Sequence, residues 1–142
     1  MAERIVYQQN KDFQASFQAS DPRAPEDLDV SPVQGLHEVT PYSMMLFSLA
    51  SCTAQVVLSF AQHHQLALEE VQLDLIYRRE FKEDCENCQA IDRYDEHIEE
   101  TIAFSGDLTE DERRKLFHIA HQCPIEKMFK SGIEVESELK SN

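Results

Sequence analysis

The spacing of apolar residues along the chain predicts short strands separated by two helices. Apolar and polar residues alternate, as in half-buried strands, in four segments: 5–7, 13–19, 71–77 and 98–104. The polar run Asn10-Lys11-Asp12 separates the first two segments and predicts a hairpin turn. With a short third strand expected at 33–39, the chain should form strands within residues 3–39 and again within 70–104.

The first helix is predicted to begin at Thr40-Pro41 and to end near residue 63. Threonine is a favoured N-cap, and proline suits the first helical position because its missing N–H is not needed there. Residues 44–61 are apolar on nearly every face of this helix. A helix without a polar face must be buried on all sides, which is difficult within one small chain. The pattern therefore predicts a homodimer with this helix at its interface.

A second helix is predicted over residues 110–123. Thr109 and Glu112 have the spacing of a capping box, in which each side chain bonds to the other's backbone N–H. Its apolar face comprises Leu116, Ile119, Ala120 and Cys123. At Pro124 the helix should stop or restart, and the alternation at 133–139 predicts a final strand. The fold class is therefore α+β, a single domain over residues 1–142 with an antiparallel-rich sheet packed on two main helices.

The charge of the chain excludes several kinds of partner. Thirteen Lys and Arg against 27 Asp and Glu give a net charge of −14. Such a chain would repel nucleic acid and anionic membrane surfaces, so neither is expected as a partner. The N-terminus lacks the pattern of a signal peptide, and no apolar run approaches the ~18 residues of a membrane span. We therefore expect a cytoplasmic protein.

The cysteines offer the clearest candidate chemistry. They are Cys52, Cys85, Cys88 and Cys123. In a reducing compartment such residues are typically free thiols, redox groups or metal ligands. Cys52 and Cys123 could each be a small core residue. However, Cys123 precedes a proline at a helix break, where free backbone N–H groups favour a thiolate, and the small neighbours of Cys52 leave room for a second thiol or a substrate.

Cys85 and Cys88 have the C-x-x-C spacing of a zinc half-site or a redox pair, and they could equally lie in a loop without chemistry. One pair supplies two ligands where structural zinc takes four. Acidic neighbours would also raise the pKa values of these thiols. His118 and His121 could touch a common ligand, although their setting is typical of surface histidines. We therefore predict no metal and no other cofactor.

Two motifs resemble those of the OsmC/Ohr family of thiol-dependent hydroperoxide reductases. Thr40-Pro41 is followed eleven positions after the proline by Cys52, within an apolar helix. Gly106-Asp-Leu-Thr-Glu-Asp-Glu-Arg113 is followed by a helix that ends in His121-Gln-Cys123-Pro124. Both motifs occur in order, with strands between them, and the likeness extends over residues 38–140.

The resemblance implies an interleaved homodimer with the two cysteine helices at its centre. It also implies that the peroxidatic Cys52 attacks an organic hydroperoxide and becomes a sulfenic acid. The resolving Cys123 would then form a disulfide with it, which a dithiol reductant reopens. The substrate pocket implied by the resemblance is apolar and would be lined by Tyr42, Met44, Met45 and Phe47.

One position departs from the family pattern. Tyr42 stands where other members have a glutamate that pairs with an N-terminal arginine, and of Arg4 and Arg23 the latter is better placed for that role. A second hypothesis is therefore a protein of the same fold without peroxidase activity, which binds a small apolar ligand or a partner. A third is a zinc- or redox-regulated module centred on Cys85 and Cys88.

Overall fold

A computed structural model of the chain describes residues 1–81 and 94–140. It contains five strands and three helices: β1 (Ala2–Asn10), β2 (Ala15–Ser20), β3 (Val30–Pro32), α1 (Pro41–His63), β4 (Leu68–Phe81), β5 (Tyr94–Gly106), α2 (Glu110–Ala120) and α3 (Pro124–Ser131). The strands form one sheet in the order β3-β2-β1-β4-β5, and all neighbouring strands are antiparallel. The predicted α+β class is confirmed.

The core lies between one face of the sheet and α1. On β4, the alternating residues Val71, Leu73, Leu75 and Tyr77 are at most 3% exposed, and they lie on the sheet face that packs against the helix. Burying such side chains stabilises the fold by about 1.5–3 kcal/mol for each large one. α1 packs on β1 and β4 at the centre of the sheet, and α2 and α3 pack against α1.

α1 has a narrow outward stripe that the sequence pattern did not predict. Its outermost positions are exposed and mostly small or polar: Met44, Ser48, Gln55, Ser59 and Gln62. The single chain therefore does not cover the helix on all sides, and the expectation that a second copy covers the rest stays a prediction. The length and composition of α1 would also suit a membrane span, but half of its most apolar window is buried in this domain. Its packing makes it the central helix of the core.

Three predicted elements differ in the structure. The third strand, expected at 33–39, is β3 at Val30–Pro32, and a short 3₁₀ turn at Leu36–Glu38 takes its place. The second helix ends at Ala120 instead of 123, and the chain restarts as α3 directly after Cys123. The final strand predicted at 133–139 is not formed in the single chain: residues 133–140 are neither helix nor strand and are exposed. A strand requires a neighbouring strand, and this segment pairs with none of the five strands described.

The junction between β5 and α2 fixes the direction of the second cysteine segment. Gly106 has φ +141°, and a Cβ there would lie 2.0 Å from the carbonyl oxygen of Ala67, so only glycine fits. Arg113, in the first turns of α2, donates hydrogen bonds to the carbonyl oxygens of Phe104 and Gly106 at the end of β5. These contacts tie α2 to the sheet and thereby position the chain that follows it.

Candidate active site

The first candidate residue, Cys52, lies in the middle of α1 and is half-buried. The helix begins where the sequence predicts. The Thr40 hydroxyl accepts a hydrogen bond from the Ser43 backbone N–H at 3.2 Å. The same hydroxyl donates to the carboxylate of Glu3, with distances of 2.7 and 2.9 Å to its two oxygens. Glu3 is 5% exposed, so a buried carboxylate lies at the N-terminus of α1, where the helix dipole favours negative charge.

The second candidate residue, Cys123, lies between α2 and α3 as the N-cap of α3 and is 2% exposed. The predicted capping box starts α2: Thr109 accepts from the Glu112 N–H at 3.1 Å, and Glu112 accepts from the Thr109 N–H at 3.1 Å. Pro124 occupies the first turn of α3. The proline therefore separates the two helices and leaves Cys123 at the junction, facing α1.

The fold brings the two thiols together. The Cys52 thiol is in hydrogen-bonding contact with Cys123, and the backbone N–H of Ile125 donates to the Cys52 sulfur. Burial raises the pKa of Cys52, and the bond to Cys123 raises it further, while the Ile125 N–H lowers it. The sequence indicated free N–H groups after Cys123. In the structure one of these groups, the Ile125 N–H, bonds to the Cys52 sulfur, because the first turn of α3 packs over that residue.

Tyr42, at the position of the family glutamate, has a partner that sequence reasoning missed. The Arg79 guanidinium donates a hydrogen bond to the Tyr42 hydroxyl at 3.0 Å. It also lies over the Tyr94 ring at 4.4 Å, an arrangement typical of a cation–π contact. The Tyr42 ring stacks on Tyr77 with 5.1 Å between centroids. Arg79 is on β4, so no N-terminal sequence signal could have identified it.

Neither N-terminal arginine takes the role expected of Arg23. Arg4 makes two hydrogen bonds to the Asp74 carboxylate, at 2.9 and 2.6 Å, and one to the carbonyl oxygen of Leu28. The side chain of Arg23 pairs with Asp21 and is 89% exposed. No contact joins either arginine to Tyr42 in the parts of the chain that the structure describes.

A groove of about 450 Å³ lies beside the thiols, a size typical of small-molecule sites. Its described lining is Met45, Leu49, Tyr77, Glu96, His97, Ile98, Glu100, Glu126, Phe129 and Lys130. Of the predicted pocket residues, Met45 is in this lining. Tyr42 lies behind Tyr77, Met44 is exposed, and Phe47 packs in the core against Phe17 with 5.3 Å between ring centroids.

Two carboxylates, which sequence reasoning did not single out, lie together in the groove. Glu126 on α3 accepts from His121 at 3.2 Å and from Lys130 at 3.4 Å. Burial raises the pKa of Glu100 on β5, and the nearby charge of Glu126 raises it further, while His121 and Lys130 oppose the rise. These residues come from β5 and from both sides of the α2–α3 junction, so their proximity depends on the tertiary fold.

The described residues give little support to the hypothesis of a metal site or to that of a ligand shared by His118 and His121. Across residues 1–81 and 94–140, no three His, Cys, Asp or Glu side chains are grouped so as to hold a metal ion. Of the two histidines that could share a ligand, His121 pairs instead with Glu126. Cys85 and Cys88 lie outside the described residues, so the zinc and redox-pair hypotheses for them stay predictions.

Comparison with known proteins gives two findings and one absence. The model of the OsmC-like protein family matches residues 34–138. The fold is similar to the crystal structure of an OsmC-like hydroperoxide resistance protein from Jannaschia sp. CCS1, with a TM-score of 0.62 and 12% sequence identity, over 99% of this chain and 94% of that chain. No curated protein matches the chain in sequence.

Proposed function

Since the chain belongs to the OsmC-like family, we propose that it is a thiol peroxidase that reduces organic hydroperoxides. The observation that carries the proposal is the hydrogen-bonding contact between Cys52 and Cys123. Two thiols from distant parts of the sequence meet beside a groove that a small molecule can enter. The hydroperoxide resistance protein with a similar fold is consistent with this assignment.

In the proposed reaction, the Cys52 thiolate attacks the peroxide O–O bond. A sulfur–oxygen bond forms, the O–O bond breaks, and the alcohol leaves with a proton while Cys52 becomes a sulfenic acid. The Cys123 sulfur then attacks the sulfenic sulfur, which forms a disulfide and releases water. A dithiol reductant restores both thiols by exchange.

The assignment of roles follows from access and from the hydrogen bonds. Cys52 is half-buried, whereas Cys123 is 2% exposed, so a substrate reaches the Cys52 sulfur first. The Ile125 N–H, at the start of α3, favours the thiolate of Cys52. Cys123 lies against Cys52 and is therefore placed to act as the resolving thiol.

Assembly and cellular setting belong to the same proposal. The unpaired segment 133–140 and the outward stripe of α1 are both surfaces that a second copy of the chain could cover. We therefore propose an interleaved homodimer. A dithiol-dependent cycle requires a reducing compartment, so we place the protein in the cytoplasm.

One observation favours the alternative of a binding protein without peroxidase chemistry. Burial and Cys123 raise the pKa of Cys52, and Tyr42 replaces the glutamate of the family pattern. A thiol that stays protonated reacts slowly with peroxides. In that case the groove would hold a small apolar ligand, and the two thiols would be structural.

Turnover measurements decide between the two functions. The wild-type protein, with dithiothreitol as reductant, should consume cumene hydroperoxide, and Cys52→Ser should abolish this activity. In the absence of reductant, Cys123→Ser should still consume one equivalent of peroxide and then accumulate a sulfenic acid that dimedone labels. A variant with both Cys85 and Cys88 changed to serine is the matched control and should keep full turnover. Equal, background rates for wild type and Cys52→Ser would contradict the proposal and favour the binding protein.

A further inference from the structure

Met45 and Leu49 of α1 line the groove, and Leu49 lies about one helical turn before Cys52. Met45, Leu49 and Cys52 are spaced by four and three residues, so they lie on the same side of the helix. The path from Met45 to Cys52 spans about 10 Å at the helical rise of about 1.5 Å per residue. This is enough length for a medium-sized alkyl or aryl group to lie in the groove with its peroxide at the sulfur.

The opposite wall of the groove leads to the same sulfur. Glu126, Phe129 and Lys130 of α3 line the groove, and Ile125, directly before Glu126, donates its backbone N–H to Cys52. Both walls therefore come within a few residues of the candidate reactive atom. β5 bounds the groove through Ile98 and Glu100, and Glu100 lies near Glu126.

The charges along this path are predominantly negative. Glu126 is paired with Lys130 and His121, so its charge is largely balanced. Glu96 accepts a hydrogen bond from Tyr77. The side chain of Glu100 makes no hydrogen bond or ion pair within the described part of the chain, although it is partly buried in the groove wall. In the described lining, an incoming carboxylate would thus meet these acidic groups, with Lys130 already paired with Glu126 and His97 with Glu99.

We propose, on the basis of the peroxidase function above, that this groove selects uncharged or cationic hydroperoxides over those bearing a carboxylate, and that Glu100 determines the selection. The substrate class is then alkyl, aryl or ester hydroperoxides instead of free-acid lipid hydroperoxides. The apolar stretch of Met45, Leu49 and Phe129 takes the hydrocarbon part, and Glu100 repels an acid group at its far end.

The test compares two substrates that differ in one charge: a straight-chain hydroperoxy carboxylic acid and its methyl ester. The second-order rate constant for oxidation of Cys52 is measured at pH 8 in a single turnover, by alkylation and peptide mass spectrometry. The ester should react roughly three- to tenfold faster than the acid, the size expected for one like-charge contact near a protein surface. Glu100→Gln should raise the rate constant of the acid relative to that of the ester by a similar factor.

Glu69→Gln is the matched control. Glu69 is an exposed carboxylate paired with Lys11, and it lies eight residues before Tyr77 on β4, about 26 Å away at about 3.3 Å per residue. In Glu69→Gln, the ratio of the rate constant for the ester to that for the acid should equal the wild-type ratio. Equal rate constants for acid and ester in the wild type, or a ratio that Glu100→Gln leaves unchanged, would overturn the proposal.

A binding measurement separates this proposal from the peroxidase function. The hydroxy acid and hydroxy ester that correspond to the two peroxides cannot oxidise Cys52. Their dissociation constants should show the same preference for the ester and the same loss of it in Glu100→Gln. If neither peroxide oxidises Cys52 while this binding preference holds, the peroxidase function fails and the selection by the groove stands. If the two dissociation constants are equal, the selection fails even where Cys52 is oxidised.

Discussion

Replacing Cys123 with alanine should make Cys52 more reactive toward an alkylating agent. The Cys52 thiol is bonded to Cys123, and this bond is one of the causes that raise the pKa of Cys52. Alanine removes the acceptor, whereas the N–H of Ile125, which favours the thiolate, remains. The pKa of Cys52 should therefore fall, and a larger fraction should be thiolate at neutral pH.

The size of the effect follows from the energy of one hydrogen bond. A bond worth about 0.5–1.5 kcal/mol changes the thiolate fraction by about two- to tenfold. Loss of the buried sulfur also leaves a small cavity, which should cost about 1–2 kcal/mol of folding free energy. Because this cost is much smaller than the stability of most domains, the variant should still be folded at 25 °C.

The assay is the rate of iodoacetamide alkylation of Cys52 between pH 6 and 10, with Cys85 and Cys88 changed to serine in every protein. Circular dichroism confirms that each variant is folded. Cys123→Ser keeps a hydrogen-bond acceptor at the same place, so its rate of Cys52 alkylation should be close to that of the protein that retains Cys123. A rate at pH 7 in Cys123→Ala that is unchanged or lower would refute the reasoning from the Cys52–Cys123 bond.

Three further predictions concern stability. Leu73→Ala, at a fully buried position, should lower the free energy of unfolding in urea by about 2–5 kcal/mol, whereas Leu36→Ala, 69% exposed, should change it by less than about 0.5 kcal/mol. Thr40→Ala removes a helix cap and the hydroxyl that donates to buried Glu3, so it should lower the free energy of unfolding by about 1–3 kcal/mol. Thr40→Ser keeps a hydroxyl and should therefore retain most of that stability. The fold raises the pKa of Glu100, which costs stability once that carboxyl ionises; Glu100→Gln should therefore stabilise the protein at pH 7 and lose this advantage below pH 4. An equal effect of Glu100→Gln at both pH values would contradict the electrostatic explanation.

Local sequence signals predicted the elements that carry the site. α1 runs from Pro41 to His63, as the Thr40-Pro41 start and the apolar run indicated. The capping box at Thr109 starts α2, and the alternating residues 71–77 face the core. In each case the information lies within a few consecutive residues: a cap, a proline position or a period of two.

The elements that sequence reasoning missed depend on contacts between distant residues. Pro124 was expected either to end the helix or to restart it, and only the packing of α3 on α1 shows that the helix restarts there. The alternation at 133–139 indicates a strand, but a strand also needs a neighbour, and the single chain supplies none.

The same limit applies to the candidate site. The motif spacing identified Cys52 and Cys123, but it could not show that the Ile125 N–H bonds to Cys52. The partner of Tyr42 is Arg79, 37 residues along the chain, and the carboxylate of Glu100 comes from a different strand again. Side-chain partners from separate elements become visible only when the register of the sheet and the packing of the helices are known.

The most direct test of the central claim is a map of the thiols after one equivalent of an organic hydroperoxide. The reduced protein is treated, quenched with an alkylating agent and digested for peptide mass spectrometry. The account predicts rapid formation of a Cys52–Cys123 disulfide in the wild type and its absence in Cys52→Ser. If both thiols of the folded wild-type protein remain open to alkylation after unfolding, the pair is not a peroxidase centre, and the groove must be interpreted as a binding site.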